Sequence, residues 1–176
     1  GTVGNGTGTN QTTAVLVMVD AGVAMRGEIT ALVAGDYSDA TCAIVDGGVR
    51  CWGSQPNYVG NDGGITNYYS VAIPELGAGA LSLSAGAYFI CGLTALGEVL
   101  CWGDNANGEL GDETQVNRKV PNLVFGLDGG VRAIASAANR SCAIMTDGTL
   151  RCWGVNSSGQ TTSVCPWFPH PVLGVP

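Results

Sequence analysis

The chain has 176 residues, of which 45% are hydrophobic and 12% charged, and its 14 acidic against 7 basic side chains leave a formal charge of −7. This apolar content fills one ordinary core or a slice of a larger one, and the negative balance repels phosphate backbones and anionic lipid, so no nucleic-acid partner is expected. No apolar run reaches the roughly 18 residues of a membrane helix, the most apolar stretch ending at Asp20, so membrane insertion is not expected either.

The 28 glycines, with many Asn, Asp, Ser and Thr, predict tight turns and an all-β architecture, because glycine weakens helices and supplies positive φ at little cost. Residues 1–18 are predicted to be the tail of a blade, since Gly1-Thr2-Val3-Gly4-Asn5-Gly6-Thr7 parallels Gly108-Glu109-Leu110-Gly111-Asp112-Glu113-Thr114. The chain therefore opens in mid-repeat.

The first full repeat spans 29–76. A strand-like run, ITALVAG from Ile29, precedes the hairpin TCAIVDGGVRC from Thr41, which leads into Cys51-Trp52-Gly53 and a later apolar segment, YSVAI. The second repeat, 80–127, has LSLSAG from Leu81, the hairpin ICGLTALGEVLC from Ile90, Cys101-Trp102-Gly103, a polar turn from Asp104 and then VPNLV. Alternation of Leu81, Ser82, Leu83 and Ser84 predicts a strand buried on one face. The third repeat, 131–176, has VRAIASA from Val131, SCAIMTDGTLRC from Ser141, Cys152-Trp153-Gly154 and HPVLGV. The Cys-Trp-Gly triplets are 50 and 51 residues apart, and four short strands per fifty residues is the make-up of a propeller blade. The predicted fold is thus a partial β-propeller of about three four-stranded blades plus part of a fourth.

Six cysteines fall in three pairs, Cys42 with Cys51, Cys91 with Cys101 and Cys142 with Cys152, each spanning one hairpin. Residues directly opposite in an antiparallel pair lie within the reach of a disulfide, and a bridge closing about ten residues removes about 2.7 kcal/mol of unfolded-chain entropy. The first pair is one residue closer in sequence, which places a deletion between Val45 and Gly48. Zinc is the alternative reading of paired cysteines. Its sites take two to four residues between ligands, however, and His170, the one histidine, lies outside the repeat. Bridged cysteines predict an oxidising location: extracellular, cell-surface or periplasmic. Cys165 has no partner in the repeat and is expected to pair beyond this chain or to stay unpaired.

The pattern CAI…DG…CWG.N..G.LG..T resembles the RCC1-like repeat family, and its cysteine-bearing form resembles the repeats of secreted bacterial proteins and plant crinkly-type receptor ectodomains. Ile90 to Leu127 carries the fullest match, with CWGDNANGELGDET. The first copy departs after Trp52, and the third after CWGVNSSGQ, where TTSVCPWFPHP replaces the expected run. The resemblance implies a propeller that binds macromolecules through loops on its face. The nuclear namesake catalyses nucleotide exchange on a small GTPase and docks on chromatin, roles that suit neither the acidic charge nor the paired cysteines here; some secreted members inhibit β-lactamases. A propeller closes with about four to eight blades, so the chain is expected to be part of a longer polypeptide or to be completed by other chains.

Trp52, Trp102 and Trp153, with Gly53, Gly103 and Gly154, read as structural repeat positions rather than as a stacking site for a ligand; Trp167 lies in the irregular last segment. Sequons at Asn5, Asn10, Asn139 and Asn156 are candidate glycosylation sites, or else simple turn chemistry. The Asp104–Asp112 loop fails as a calcium loop because Ala106 occupies an alternate ligand position. No nucleophile and base stand together, so catalytic residues, a metal and a cofactor are not expected. The function this supports is a non-catalytic extracytoplasmic module that presents loops to a protein, itself included, or to a glycan, with a secreted regulator or inhibitor of another enzyme as the second reading.

Overall fold

In the computed structural model, the structure describes residues 3–21, 23–35, 40–53, 67–77, 79–156 and 169–171. Among these residues the chain is all-β. It opens with a two-stranded ribbon, β1 (Met18–Asp20) and β2 (Val23–Ala24). Three four-stranded antiparallel sheets follow, each paired in chain order. The first holds β3 (Ile29–Ala34), β4 (Ala40–Val45), β5 (Gly48–Gly53) and β6 (Asn67–Ile73), and ends in the short 3-10 helix η1 (Pro74–Leu76). The second holds β7 (Ala80–Ala85), β8 (Phe89–Thr94), β9 (Glu98–Gly103) and β10 (Arg118–Asp128). The third holds β11 (Val131–Ala137), β12 (Arg140–Met145), β13 (Leu150–Gly154) and β14 (His170–Pro171).

These sheets are successive blades, with the first strands β3, β7 and β11 neighbouring one another. The one-residue deletion falls where the spacing places it. Val45 pairs with Gly48 across a two-residue turn, and both turn residues have positive φ, 51° at Asp46 and 78° at Gly47. That is the turn type whose twist matches a hairpin, and Asp-Gly is its preferred sequence. The second and third blades use longer turns closed by glycine at positive φ, with Gly97 N–H donating to Thr94 O and Gly148 N–H to Met145 O.

The alternation read at Leu81 and Leu83 is corrected by the structure. The β7–β8 register shifts between Ala80 and Ser82, so Leu81 is the extra residue of a bulge and is exposed, while Leu83 is buried. The same shift recurs at Ile29/Ala31 and Val131/Ala133 and turns Thr30 and Arg132 out to solvent. A bulge moves all following side chains to the opposite face, which a period of two cannot reveal.

Each blade has a leading face toward the preceding blade and a trailing face toward the next. Cys42, Ile44, Val49 and Cys51 on the trailing face of the first blade form one core with Ala80, Leu83, Ile90 and Trp102 of the second. Cys91, Leu93, Val99 and Cys101 form the equivalent core with Val131, Ala143, Met145 and Trp153 of the third. The tryptophan therefore packs between blades, not within one. Trp153 Nε1 donates to Glu109 O at 2.8 Å, and a Cβ added at Gly111 would lie 2.8 Å from its ring. Gly4 holds the same relation to Trp52, at 2.7 Å. Met18 N–H donates to Gly4 O as Phe125 N–H donates to Gly111 O. The N-terminal segment, from Gly4 to β1, thus makes on the first blade the contacts that Gly111 and β10 make on the third.

Gly111 and Gly148 both have positive φ, but an added Cβ at Gly148 meets nothing within 4 Å. Gly148→Ala should cost about 1–2 kcal/mol from the backbone alone. Gly111→Ala should cost clearly more, because the ring of Trp153 must also move; urea unfolding midpoints ordered wild type, Gly148→Ala, Gly111→Ala check this. Replacing Cys91 and Cys101 together by alanine should cost about 2–4 kcal/mol in the same assay.

Candidate binding face

The blades have two unlike ends. At one end lie the turns after β4, β8 and β12 and the links into the next blade, and main-chain bonds close it. Ala80 N–H donates to Gly47 O and Val131 N–H to Gly97 O, while Ala95 N–H donates to Gly79 O and Thr146 N–H to Gly130 O. A Cβ added at Gly97 would lie 2.8 Å from Gly130 N, so the strands meet there backbone to backbone. Six acidic residues, Glu28, Asp46, Glu75, Glu98, Asp128 and Asp147, sit in or beside these turns and links. Asp147 accepts from the N–H and hydroxyl of Thr149, which holds its carboxyl below the usual range.

The other end carries the long connections, chief among them residues 104–117. Asn105 is fully buried and organises this loop: its side-chain amide donates to Asp112 Oδ1 and to the carbonyls of Thr114 and Val116, and its Oδ1 accepts from Leu110 N–H. Asp112, with a side chain 3% exposed, accepts in addition from Thr114 N–H and Oγ1, from Asn122 and from Arg118, the last also as an ion pair at 2.7 Å. Buried Glu109 accepts from the N–H and amide of Asn107. The Glu109 and Asp112 carboxylates of this loop are thus already satisfied by protein donors. Among the described residues no three His, Cys, Asp or Glu side chains converge to hold a metal.

With Asn105, Glu109 and Asp112 turned inward, this loop presents Ala106, Glu113, Gln115, Val116 and Asn117 to solvent, and exposed Tyr88 stands beside it, its main-chain carbonyl accepting from Asp104 N–H. All four sequon asparagines belong to this end: Asn5 and Asn10 in the segment equivalent to 104–117, Asn139 in the turn between β11 and β12, and Asn156 just after β13. Asn5 Oδ1 accepts from Thr7 N–H and Oγ1. Ser157, Ser158, Cys165 and Trp167 lie outside the described residues. The three cysteine pairs are joined as bridges, each across directly opposed residues with Cα atoms 4.1 Å apart. Trp52, Trp102 and Trp153, with the glycines after them, are buried. Sequence reasoning missed Asn105 and Asp112 as the loop's organisers; the signal available for Asn105 was the Asn of the CWG.N..G.LG..T pattern, in which Asp112 falls at an unspecified position.

Burial pushes the Asp112 carboxyl up, but hydrogen bonds from Thr114, Arg118 and Asn105 outweigh it and hold the group below its ordinary value of 3.8. A folded value below the unfolded one means that the stabilisation is fully present above the unfolded value and is lost as pH falls through the depressed folded one. Urea stability measured between pH 6 and about pH 2 should therefore fall in acid. In Asp112→Asn, already less stable at neutral pH, this part of the fall should disappear.

Two family models described as "Regulator of chromosome condensation (RCC1) repeat" match the chain, one over residues 81–109 and 131–160 and the other over 97–144. The chain is 34% identical over 106 residues to the Arabidopsis thaliana RCC1 domain-containing protein RUG3, mitochondrial, covering 58% of this chain and 24% of that protein. It is 36% identical over 94 residues to human RCC1 domain-containing protein 1, covering 53% and 24%. The chain thus spans about a quarter of the length of these relatives. In structure it is similar to human WBSCR16, with TM-score 0.69 and 16% identity over 85% of this chain and 39% of that one. It is similar also to yeast RCC1 (Prp20) in its crystal structure bound to Kap60, with TM-score 0.67 and 24% identity over 82% and 35%. The matched residues lie in the second and third blades, where the chain is similar to RCC1 repeats, and the solved structures share the fold of all three: the chain folds as a partial β-propeller.

Proposed function

We propose that this chain is part of an extracytoplasmic, non-catalytic binding module whose loop end receives a protein or glycan partner. The observation that carries this is the asymmetry of the two ends. The turn end is closed by short turns and main-chain bonds between blades, whereas the loop end, joined between the second and third blades by Ala87 N–H to Ala138 O, holds the long 104–117 loop, which is braced by Asn105 and Asp112 and turns Val116, Gln115 and neighbouring Tyr88 outward. A preorganised surface loses little freedom on binding, which favours affinity. Relatives of this fold bind proteins: yeast RCC1 (Prp20) is solved bound to Kap60, and the structure of Prp20p is described with its binding to Gsp1p and histones. The acidic balance of this chain argues for partners other than chromatin.

The location rests on the three bridges, because disulfides persist where the surroundings are oxidising. The narrower likeness to cysteine-bearing secreted and crinkly-type repeats points the same way, and sequons at the loop end suit glycans beside a binding face. A regulator or inhibitor of a basic secreted enzyme is the second reading, favoured by the acidic residues around the turn end.

Thiol labelling of the protein trapped at its native source, followed by mass analysis, should find the six repeat cysteines blocked; free thiols at all six would remove the extracytoplasmic reading. A photo-crosslinking residue at Tyr88 or Val116 should join a partner that one at Asp46 or Asp147 does not. The reverse pattern, weakened by salt, would favour the inhibitor.

A further inference from the structure

The two junctions inside this chain share one register, yet they differ at three facing positions around the cysteine bridge. In the first junction Val33 lies opposite Cys42, and Ala85 and Ile90 are the opposed pair that the next blade brings to it. All three are apolar and pack in the core that holds Cys42 and Cys51. In the second junction the same places hold Ser84, opposite Cys91, and the opposed pair Ser136 and Ser141. Three apolar side chains in one junction are thus three hydroxyls in the other.

The serines form one thread that ends on the bridge. Ser136 N–H donates to Ser84 Oγ at 2.7 Å across the blades, Ser136 Oγ lies 2.9 Å from Ser141 Oγ, and Ser141 Oγ lies 3.9 Å from Cys91 Sγ. A bridged sulfur has no proton to give, so Ser141 donates to it and Ser136 donates to Ser141. Cys42, Cys51 and Cys101 are 0% exposed and Cys91 1%, so depth does not distinguish the two bridges. What covers them does. Opening the first junction at this point brings apolar side chains into water, whereas opening the second brings out hydroxyls that water satisfies, so the second opens at the lower cost. Reduction also leaves two thiols to be housed. A thiol at Cys91 keeps Ser141 as its hydrogen-bonding partner when the junction recloses, while one at Cys42 meets no hydroxyl at these three positions. A bridge whose reduced form is stabilised is the more readily reduced.

We infer that Cys91–Cys101 is an exchange-labile bridge, the one of these two that a dithiol reductant opens first. A thiolate of the reductant attacks one bridge sulfur, the S–S bond breaks, and its electron pair leaves on the other sulfur, which takes a proton from water. The reductant's second thiolate then displaces the remaining cysteine from the mixed disulfide, leaving two cysteine thiols and a reductant oxidised to its cyclic disulfide. Cys101 lies in β9, the strand that runs into the 104–117 loop, so reduction frees the register of the hairpin that carries this loop. In oxidising surroundings the bridge stays closed with the others. Its lability belongs to the chain itself and holds or fails whatever the location and the partner.

A redox titration tests it. The whole 176-residue chain, in a Cys165→Ser background that removes the seventh cysteine, is equilibrated with reduced and oxidised dithiothreitol, alkylated and peptide-mapped. Cys91–Cys101 should reach half-reduction at a reduced-to-oxidised ratio at least tenfold lower than Cys42–Cys51, a difference of about 30 mV. In the triple variant Ser84→Val, Ser136→Ala, Ser141→Ile, which copies the first junction, this margin should shrink below threefold. The third blade's own bridge is the same in both proteins, so any effect of reducing Cys142–Cys152 is common to the two. Should the triple variant not fold, Ser141→Ala, which removes only the hydroxyl on the bridge, should lower the margin at least threefold. A margin below tenfold in the parent chain overturns the proposal, and so does one that the substitutions leave in place.

Discussion

A blade of this chain carries apolar side chains on both faces, and neither face is removed from water until another blade lies against it. That requirement governs the rest of the structure. The trailing-face residues of one repeat and the leading-face residues of the next build each core jointly, with a tryptophan reaching across from the later blade, Trp153 lying on Gly111 of the earlier one. The glycine is needed there because any side chain would occupy the volume of the indole. Stability then resides in the junctions between neighbours, as in other repeat architectures, and a single blade has no core of its own.

The same requirement separates the two ends of the molecule. Blades held in a fixed relation need main-chain contact somewhere, and the short turns supply it through carbonyls of Gly47 and Gly97 that accept from the first strand of the following blade. Long insertions at that end would push the blades apart. Length and sequence can vary at the opposite end, where the polar groups of the 104–117 loop are organised by its own Asn105 and Asp112 and the next blade is met at Glu109 and Gly111 by Trp153. Variation without loss of the ring is what a recognition surface requires.

The repeat, the hairpins and the shortened turn at Asp46-Gly47 were all legible in the sequence, because each is written locally in residue type and spacing. The partner of each tryptophan was not legible: Trp153 meets Gly111, and nothing local in Cys-Trp-Gly says that its ring leaves the blade. The bulge at Leu81 was hidden for the opposite reason, as an apolar alternation that reads as one regular strand conceals a break in register. The loop organisers were not legible as such, since carboxylates and amides that bind a cation and those that bind each other share the same composition.

The bridges gain their importance from this arrangement. In each hairpin the two cysteines oppose one another on the trailing side, and the tryptophan that follows the second cysteine points to the leading side, so fixing the cysteine register also fixes which face receives the indole. A slip of one residue would send every tryptophan into the wrong junction and every cysteine toward the opposite neighbour. In strands as short as five and six residues, rich in small side chains, few other contacts resist such a slip. A covalent bond between the opposed residues excludes it, and the junctions on either side of the blade are thereby specified before a neighbour has docked.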